Sequence, residues 1–447
     1  MQLAIFVFKA KITKLFCACI CKVLCHGQFG CCAKIAGKRK NRPLPSRLFP
    51  ATIATQLPII APQISIQEGG ERKMALTTRP YLNGIGYVPY YSKDLVPVEE
   101  AAERIERLNA KSVRLWHPFA TLMDAPDRLR SEVVDFFHGV YSTLRKHGVE
   151  QIIALNHDWF LPDETGRPHF AGFAVPHRDT KAFAPFLQWY ETMWRAQARE
   201  FPEVDGWETG NEMNHVPFLH ASDAKEHGDF TLLDRADLCT EMMLCSARGI
   251  RSSAPQSLIV MPGMAPIGGE RIGVFANNVA VEYDGMVQTL RRIYENIASG
   301  KFGSTNPRDY FDALCWHPYY AVQNDQGDWR YVCPDDAWVR LNNSVYAVAE
   351  EYGDAGIGCY LSEYGFNDNG DAQADAQLAE YLAAGIRLAK EKMPYVQSIQ
   401  VYRLLNIMDV PGVIDDYSLF DWKGGKLLAK KKAYAVQACF GGSGSLD

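Results

Sequence analysis

Trp207-Glu208-Thr209-Gly210-Asn211-Glu212-Met213-Asn214-His215 is the stretch around which the rest of this chain is organised. A short predicted strand ends at Trp207, and the sequence turns polar at once. A carboxylate at the end of a buried strand is costly unless it has a partner. A second segment, Leu361-Ser362-Glu363-Tyr364-Gly365-Phe366, repeats the order of apolar strand start, glutamate and loop. The two segments predict two separate strand ends that each present a glutamate.

Strand and helix patterns alternate along the chain from Tyr81 onward, with short connections between them. Eight strands are predicted: Asn83–Tyr90, Lys111–Trp116, Gln151–Leu155, Val204–Trp207, Ser257–Met261, Asp312–Trp316, Gly358–Leu361 and Ser398–Leu405. Eight helices are predicted to follow them: Val98–Asn109, Arg128–His147, Lys181–Glu200, Leu232–Ser253, Tyr283–Ser299, Ala337–Tyr352, Ala374–Lys392 and Lys426–Cys439. Eight such units predict an α/β fold, a (β/α)8 TIM barrel with enlarged βα loops.

An open, doubly wound sheet is the alternative architecture. That fold favours a glycine-rich phosphate-binding turn directly after its first strand. In this chain Gly84-Ile-Gly86 lies within the predicted first strand. The closed barrel is therefore the favoured prediction.

The N-terminal part of the chain differs from the rest in its charge. The net charge is −5, but residues 1–67 contain ten Lys or Arg and no Asp or Glu, so the other 380 residues carry −15. Residues 1–75 are predicted to be a disordered basic extension, either an organelle transit segment or an untranslated upstream stretch with Met74 as the working start. A chain that begins at Met74 is expected to fold. The catalytic barrel is predicted to span residues 76–447.

The same features bear on location and partners. The apolar run Leu3–Phe8 is too short for a membrane span and makes a poor secretory signal, so a cytoplasmic location without a membrane partner is expected. An acidic body argues against nucleic acid. The six cysteines beyond residue 200 are expected to be buried thiols in a reducing compartment. The run Cys17-Ala-Cys19-Ile-Cys21 lacks the paired spacing of a zinc site, and no metal or cofactor is expected.

Polar residues follow nearly every predicted strand. In a (β/α)8 barrel these positions share the C-terminal face, where active sites lie. Two glutamates on separate strand ends are what glycoside hydrolysis requires, one as acid/base and one as nucleophile or base. Glu208 is a rival acid, because it lies four residues before Glu212 on the same side of the strand. The other polar candidates are Arg114, His117, Asn156, His157, Asp158, Asn211, His317, Tyr319, Tyr320, Tyr364, Tyr402 and Arg403.

This set resembles glycoside hydrolase clan A, the cellulase- and mannanase-type barrels, and most nearly family 5. The resemblance covers about Tyr81 to Phe440 and rests on six matches, with Asn211 and Glu212 counted separately, each on the expected strand. The matching positions are Asn211-Glu212 after strand four, Glu363 in Ser-Glu-Tyr-Gly after strand seven, Arg114 in Val-Arg-Leu, His157 after strand three, and His317-Pro318-Tyr319 after strand six. It implies Glu212 as acid/base and Glu363 as nucleophile, with Arg114 beside the nucleophile and Asn211 near the sugar 2-hydroxyl.

The chain departs from the clan pattern at two places. Where a strand-eight tryptophan is expected as the floor of the cleavage subsite, the chain has Val401-Tyr402-Arg403. Either Tyr402 or Trp422, from the later loop, is predicted to take that place. Met213 also stands where proline is common in the family.

The predicted function is that of a retaining β-glycosidase acting on β-linked carbohydrate, with Arg114, His157, Asn211, His317, Tyr319 and Tyr402 as substrate-binding residues. Two alternatives are open at this stage. A metal-dependent hydrolase would use His117, His157, His317 and Asp158 as ligands. A non-catalytic carbohydrate-binding barrel would keep the aromatic residues but has no need of both glutamates.

Overall fold

A closed barrel of eight parallel strands forms the centre of the computed structural model, which describes residues 80–92, 96–267, 283–323, 329–406 and 416–447. The strands are β1 (Leu82–Tyr87), β2 (Ser112–Trp116), β3 (Gln151–Leu155), β4 (Gly206–Glu208), β5 (Leu258–Val260), β6 (Ala313–Trp316), β7 (Gly358–Tyr364) and β8 (Val396–Val401). Each strand pairs with the next along the chain, and β8 pairs with β1 to close the barrel. The predicted (β/α)8 fold is therefore confirmed.

Helices follow the strands and form the outer layer. They are α1 (Val98–Leu108), α2 (Ser131–Lys146), α3 (Phe183–Glu200), α4 (Leu232–Ser253), α5 (Asp284–Ala298), α6 (Asp336–Glu351), α7 (Ala372–Lys392) and α8 (Lys431–Phe440). The predicted N-terminal extension, residues 1–75, and the Cys17–Cys21 run lie outside the described residues.

The sequence pattern explains the two layers. In β3 all five residues are buried, as expected for a parallel strand covered on both faces. In α1 the apolar residues recur at helical spacing, and Ala101, Ala102, Ile105 and Leu108 are all buried. The core thus lies between the strands and the inner faces of the helices.

Two predicted helices begin later than expected, because their first residues belong to hairpins. Arg128–Leu129 pairs antiparallel with Met123–Ala125, so α2 begins at Ser131. Lys426–Ala429 pairs with Phe420–Lys423, so α8 begins at Lys431. Hydrogen bonding to a neighbouring strand therefore overrides the helical pattern at both sites.

The loops at the C-terminal ends of the strands are enlarged, as predicted. The loop after β3 carries the hairpin Trp159–Pro162 with Pro168–Gly172. The loop after β6 carries the hairpin Ala321–Gln323 with Trp329–Tyr331. Within the part of the chain that the structure describes, every helix is too short or too polar to cross a bilayer.

The cysteines beyond residue 200 are unpaired thiols, and most follow the prediction of burial. Cys239, Cys245, Cys315 and Cys359 are buried, and Cys439 is partly so. Cys333 is exposed, in contrast to the expectation.

Candidate active site

Glu212 lies just beyond the end of β4, in a backbone conformation that few residues adopt. Its φ of 47° is in the left-handed region, which is disfavoured for residues with a side chain. Two contacts hold it there: Asn211 makes a parallel bridge to Gly263, and the Glu212 N–H donates to the Gly263 carbonyl at 2.6 Å. The turn therefore aims the Glu212 side chain, which is 12% exposed, at the mouth of the barrel.

Arg114 joins two strand ends and the Asn-Glu turn inside the barrel. Its Nε and Nη2 donate to the two oxygens of Glu208 at 2.7 and 2.8 Å. Nη1 donates to Glu363 Oε1 at 2.6 Å, and Nη2 also donates to Asn211 Oδ1 at 2.9 Å. A buried guanidinium with this many charge-assisted bonds fixes the relative positions of its partners.

Glu363 is the second-to-last residue of β7, in a site that favours its ionised form. Besides Arg114, the Tyr319 hydroxyl donates to Glu363 Oε2 at 3.0 Å. Burial alone would raise the pKa of Glu363, but the positive charges of His317 and Arg114 and these hydrogen bonds hold it below its usual value. Burial next to Glu363 raises the pKa of Tyr319 well above 10, so its hydroxyl remains a donor.

His317 connects the two glutamates. Its Nδ1 lies 2.8 Å from Glu212 Oε1 and 3.6 Å from Glu363 Oε2, and its Nε2 lies 3.0 Å from the Ser362 hydroxyl. Burial alone would lower the pKa of His317. The carboxylates of Glu363 and Glu212 more than offset this effect and raise the pKa above 6.5.

Glu212, His317 and Glu363 each place one nitrogen or oxygen within 4.8 Å of the others. The same spacing suits a cation in principle, but both Glu363 oxygens already accept hydrogen bonds, from Arg114 and Tyr319. His317 Nε2 is likewise engaged with Ser362. These existing hydrogen bonds therefore favour proton sharing among Glu212, His317 and Glu363 over binding of a metal ion.

Arg114→Ala is expected to lower kcat at least about 10²-fold, roughly 2.7 kcal/mol of barrier, because the ionised form of Glu363 loses its buried cation. Glu208 would also lose its partner, which typically costs about 3–5 kcal/mol of stability. Since Arg114 lowers the pKa of Glu363, the acidic limb of the pH–rate profile should move to higher pH.

The control for this variant is Arg145→Ala, which removes an arginine in the last turn of α2 that is one third exposed and pairs with Asp205. It should leave the acidic limb in place. An Arg114→Ala enzyme with a normal pH profile would limit Arg114 to a structural role.

Gly263 lies after β5, against the polar side chains of the site. A Cβ at this position would lie 2.4 Å from His317 Nε2 and 3.0 Å from Glu208 Oε1. Real Cβ atoms do not approach side-chain atoms so closely, so a larger residue must displace His317. The absence of a side chain at this position therefore permits His317 to reach Glu212.

Gly263→Ala is accordingly expected to lower kcat/KM about tenfold or more, because the added methyl group moves His317 away from Glu212. A tenfold loss corresponds to roughly 1.4 kcal/mol of transition-state binding. Gly139→Ala, within α2, is the matched control because nothing lies within 4 Å of its added Cβ. That control should keep wild-type activity and gain up to about 1 kcal/mol of stability from helix propensity. Wild-type kinetics for Gly263→Ala would contradict the inferred packing.

His157 follows β3 at the edge of this network. Its ring makes an edge-to-face contact with Trp116 and stacks on Phe173 at 5.2 Å. Burial, together with the charge of Arg114, lowers its pKa to about 3, so the ring is neutral. Its role in binding a sugar stays a prediction.

Tyr402, after β8, packs against Val88, Trp116 and Leu155. Its hydroxyl accepts from Arg403 Nη1 at 2.6 Å. Trp422 instead lines a separate cleft, in which neither glutamate takes part. Of the two residues predicted as the subsite floor, the structure therefore favours Tyr402.

The histidine cluster of the predicted metal alternative does not form in the described chain. The His117 ring is enclosed by Phe137, Phe201 and Trp207, and burial lowers its pKa to about 3. Asp158 accepts from the Phe119 N–H at 2.7 Å at the start of a short helix. These groups therefore serve the packing, and His317 alone of the three histidines contacts a glutamate of the site.

Three contacts in the site had no clear signal in the sequence. Glu208 was a rival acid on its position alone, but both its oxygens are occupied by Arg114. Ser362 contacts both Glu208 and His317. The close approach of His317 to Gly263 is the third. Strand alternation would turn Ser362 away from the face that Glu363 occupies, but the pairing of β7 with β8 shifts register between Leu361 and Tyr364, so both side chains reach the site.

Comparison with known proteins adds a likeness of fold. No family model and no curated protein sequence matches the chain. Among solved structures, a family 1 β-glucosidase from Thermotoga maritima shares 13% identity, with 82% of this chain and 98% of that chain covered and a TM-score of 0.51. The Thermotoga maritima β-glucosidase complexes with cyclophellitol and with deoxynojirimycin each give 14% identity, 82% and 98% coverage and a TM-score of 0.52. Identity this low shows the barrel fold alone.

Proposed function

We propose that this protein is a retaining β-glycosidase in which Glu363 is the nucleophile and Glu212 the acid/base. The observation that carries the proposal is the closeness of the two carboxylates, whose oxygens come within 4.8 Å of each other. Retaining glycosidases place these groups about 5–5.5 Å apart, whereas inverting ones need about 6.5–9.5 Å to admit a water. The separation therefore favours double displacement.

Glu363 has the environment that a nucleophile needs. Arg114 and the Tyr319 hydroxyl both donate to it, and its lowered pKa keeps it ionised near neutral pH. Such a carboxylate can attack the anomeric carbon and form a covalent glycosyl-enzyme. Tyr319 and Arg114 then act by holding the attacking oxygens in position.

Glu212 has the environment of a proton donor and acceptor. It is the more exposed of the two carboxylates, and its hydrogen bond to His317 gives it a partner with which to share a proton. In the first step Glu212 donates to the glycosidic oxygen, and in the second it takes a proton from water. Glu208 is unsuited to this role because Arg114 binds both its oxygens.

Asn211 and His157 are the proposed sugar-binding groups. Because Asn211 Oδ1 accepts from Arg114, its Nδ2 remains as a donor for the sugar 2-hydroxyl, a contact that strengthens as the oxocarbenium ion forms. Neutral His157 and the Tyr402 ring both pack against Trp116, and we propose that they bind the sugar next to Asn211. The likeness in fold to family 1 β-glucosidases supports clan A for this chain, while family 5 remains our prediction from the sequence motifs.

The test is hydrolysis of aryl β-glucosides, β-mannosides, β-xylosides and β-galactosides, followed by proton NMR of the first sugar released. We expect one class to be cleaved, with retention at the anomeric carbon and no effect of a chelator. Release of the inverted anomer would overturn the double displacement. Binding of sugars without any hydrolysis would favour the carbohydrate-binding barrel, and chelator-sensitive hydrolysis the metal-dependent one.

A further inference from the structure

The Ser362 hydroxyl lies between Glu208 and His317 and can satisfy both in only one way. Its oxygen is 3.1 Å from Glu208 Oε1 and 3.0 Å from His317 Nε2. Glu208 is fully buried and paired with Arg114 through both oxygens, so it can only accept hydrogen bonds. The single hydroxyl hydrogen of Ser362 must therefore point to Glu208.

This orientation fixes the histidine. With its hydrogen donated to Glu208, the Ser362 oxygen can only accept from His317, so Nε2 must carry a hydrogen. Nδ1, 2.8 Å from Glu212 Oε1, is then the atom at which the histidine gains or loses its proton. In the neutral ring Nδ1 accepts a hydrogen bond from protonated Glu212, and in the charged ring it donates to the Glu212 carboxylate.

We propose that Ser362 and Glu208 are positioning residues that hold His317 in its Nε2–H form, and so keep one transferable proton between His317 Nδ1 and Glu212. This inference rests on the proposed role of Glu212 as acid/base. The proton passes from the pair to the leaving oxygen in the first step. The proton taken from water in the second step restores the pair, so the cycle is balanced.

The groups around His317 come from five strands. Its titratable or polar neighbours are Arg114 on β2, Glu208 and Glu212 at the end of β4, Cys315 and Tyr319 at β6, and Ser362 and Glu363 on β7. Gly263, after β5, is the fifth strand's contribution. Glu363 and Glu212 raise the pKa of His317, whereas burial and Arg114 oppose them. Because the pair must hold its proton to act as an acid, activity should be lost as the pH rises and this proton dissociates.

Ser362→Ala is the kinetic test. It removes the acceptor of the Nε2 hydrogen, so the basic limb of kcat/KM should move down by about one pH unit. kcat/KM should fall about tenfold or more for phenyl β-glycosides, which need the acid, and less than about threefold for 2,4-dinitrophenyl β-glycosides, which do not. Ser362→Thr, which keeps the hydroxyl, should restore the basic limb.

The matched control is Cys315→Ala. The Cys315 thiol also contacts the Ser362 hydroxyl, at 2.9 Å, whereas the hydrogen bonds of the His317 ring go to Ser362 and Glu212. Its loss perturbs the packing at the same place and should change neither the basic limb nor the dependence on leaving group. Equal losses for both leaving groups in Ser362→Ala, or an unmoved basic limb, would overturn the proposal.

A second measurement does not depend on activity or on a variant of Ser362. In histidine labelled with ¹⁵N, the wild-type His317 ring should show a protonated Nε2 across the pH range, with His317→Gln used to assign its signals among the 11 histidines. An Nδ1–H neutral form would sink the inference even if the enzyme is a glycosidase. Conversely, the protein could show the Nε2–H form and yet cleave no glycoside. That result would support the hydrogen bonds from Glu208 through Ser362 to His317, but it would refute the proposed glycosidase function and with it the catalytic role of the His317–Glu212 proton.

Discussion

Glu363→Gln is expected to lower kcat by at least about 10⁴-fold on every substrate, roughly 5.5 kcal/mol of barrier. The amide keeps the shape of the side chain, and its single oxygen can accept from either Arg114 or Tyr319, which bind different oxygens of Glu363, but it cannot displace a leaving group to form a glycosyl-enzyme. Improving the leaving group should not help, because the missing step is the attack itself. The measurement is kcat for a series of aryl β-glycosides with leaving groups from phenyl to 2,4-dinitrophenyl.

The control is Glu226→Gln, at an exposed position in the short helix Ala224–His227. It should keep full activity, and both variants should unfold at the wild-type temperature to within a few degrees. More than about one tenth of wild-type activity in Glu363→Gln would mean that another group is the nucleophile.

Glu212→Ala should show a loss that depends on the substrate. General acid catalysis is typically worth about 10²–10⁴-fold, so phenyl and alkyl β-glycosides should lose that much in kcat/KM. A 2,4-dinitrophenyl β-glycoside needs no acid, so its first step should stay fast and a burst of phenolate should precede slow turnover. The burst arises because the second step still lacks its base.

Azide provides the sharper measurement for the same variant. The small anion can attack the glycosyl-enzyme without a base, in the space left by the carboxylate, so added azide should accelerate turnover and yield a β-glycosyl azide. Proton NMR identifies the product. Formation of an α-azide, or no acceleration in Glu212→Ala, would contradict the assignment of Glu212. Wild-type enzyme in azide is the control and should form little azide product.

Removing the proposed acid/base and removing the proposed nucleophile should thus have different signatures, which the proposed positioning residues do not share. Arg114→Ala should move the acidic limb, and Ser362→Ala the basic limb. Gly263→Ala should act on the position of His317. The pH profile therefore separates Arg114 from Ser362 by a measurement other than the size of the loss.

The barrel itself could be predicted from the sequence. Continuous apolar runs such as Gln151–Leu155 encode buried strands, and helical spacing such as that of Ala101, Ile105 and Leu108 encodes the outer layer. Both patterns are local, so they can be read one segment at a time. The approximate place of Glu212 and Glu363 at strand ends follows from the same local pattern and from the rule that parallel strand ends share one face of a barrel.

What only the tertiary structure decided is which side chains touch. Glu208 and Arg114 are 94 positions apart, and His317 and Glu212 are 105 apart, so their pairing depends on how the closed barrel sets the strands against one another. The left-handed turn at Glu212 and the close approach of His317 to Gly263 are likewise products of packing, not of local preference. Local sequence thus determined that two carboxylates would meet at the barrel mouth. The register and closure of the sheet determined that one is held by an arginine and the other by a histidine.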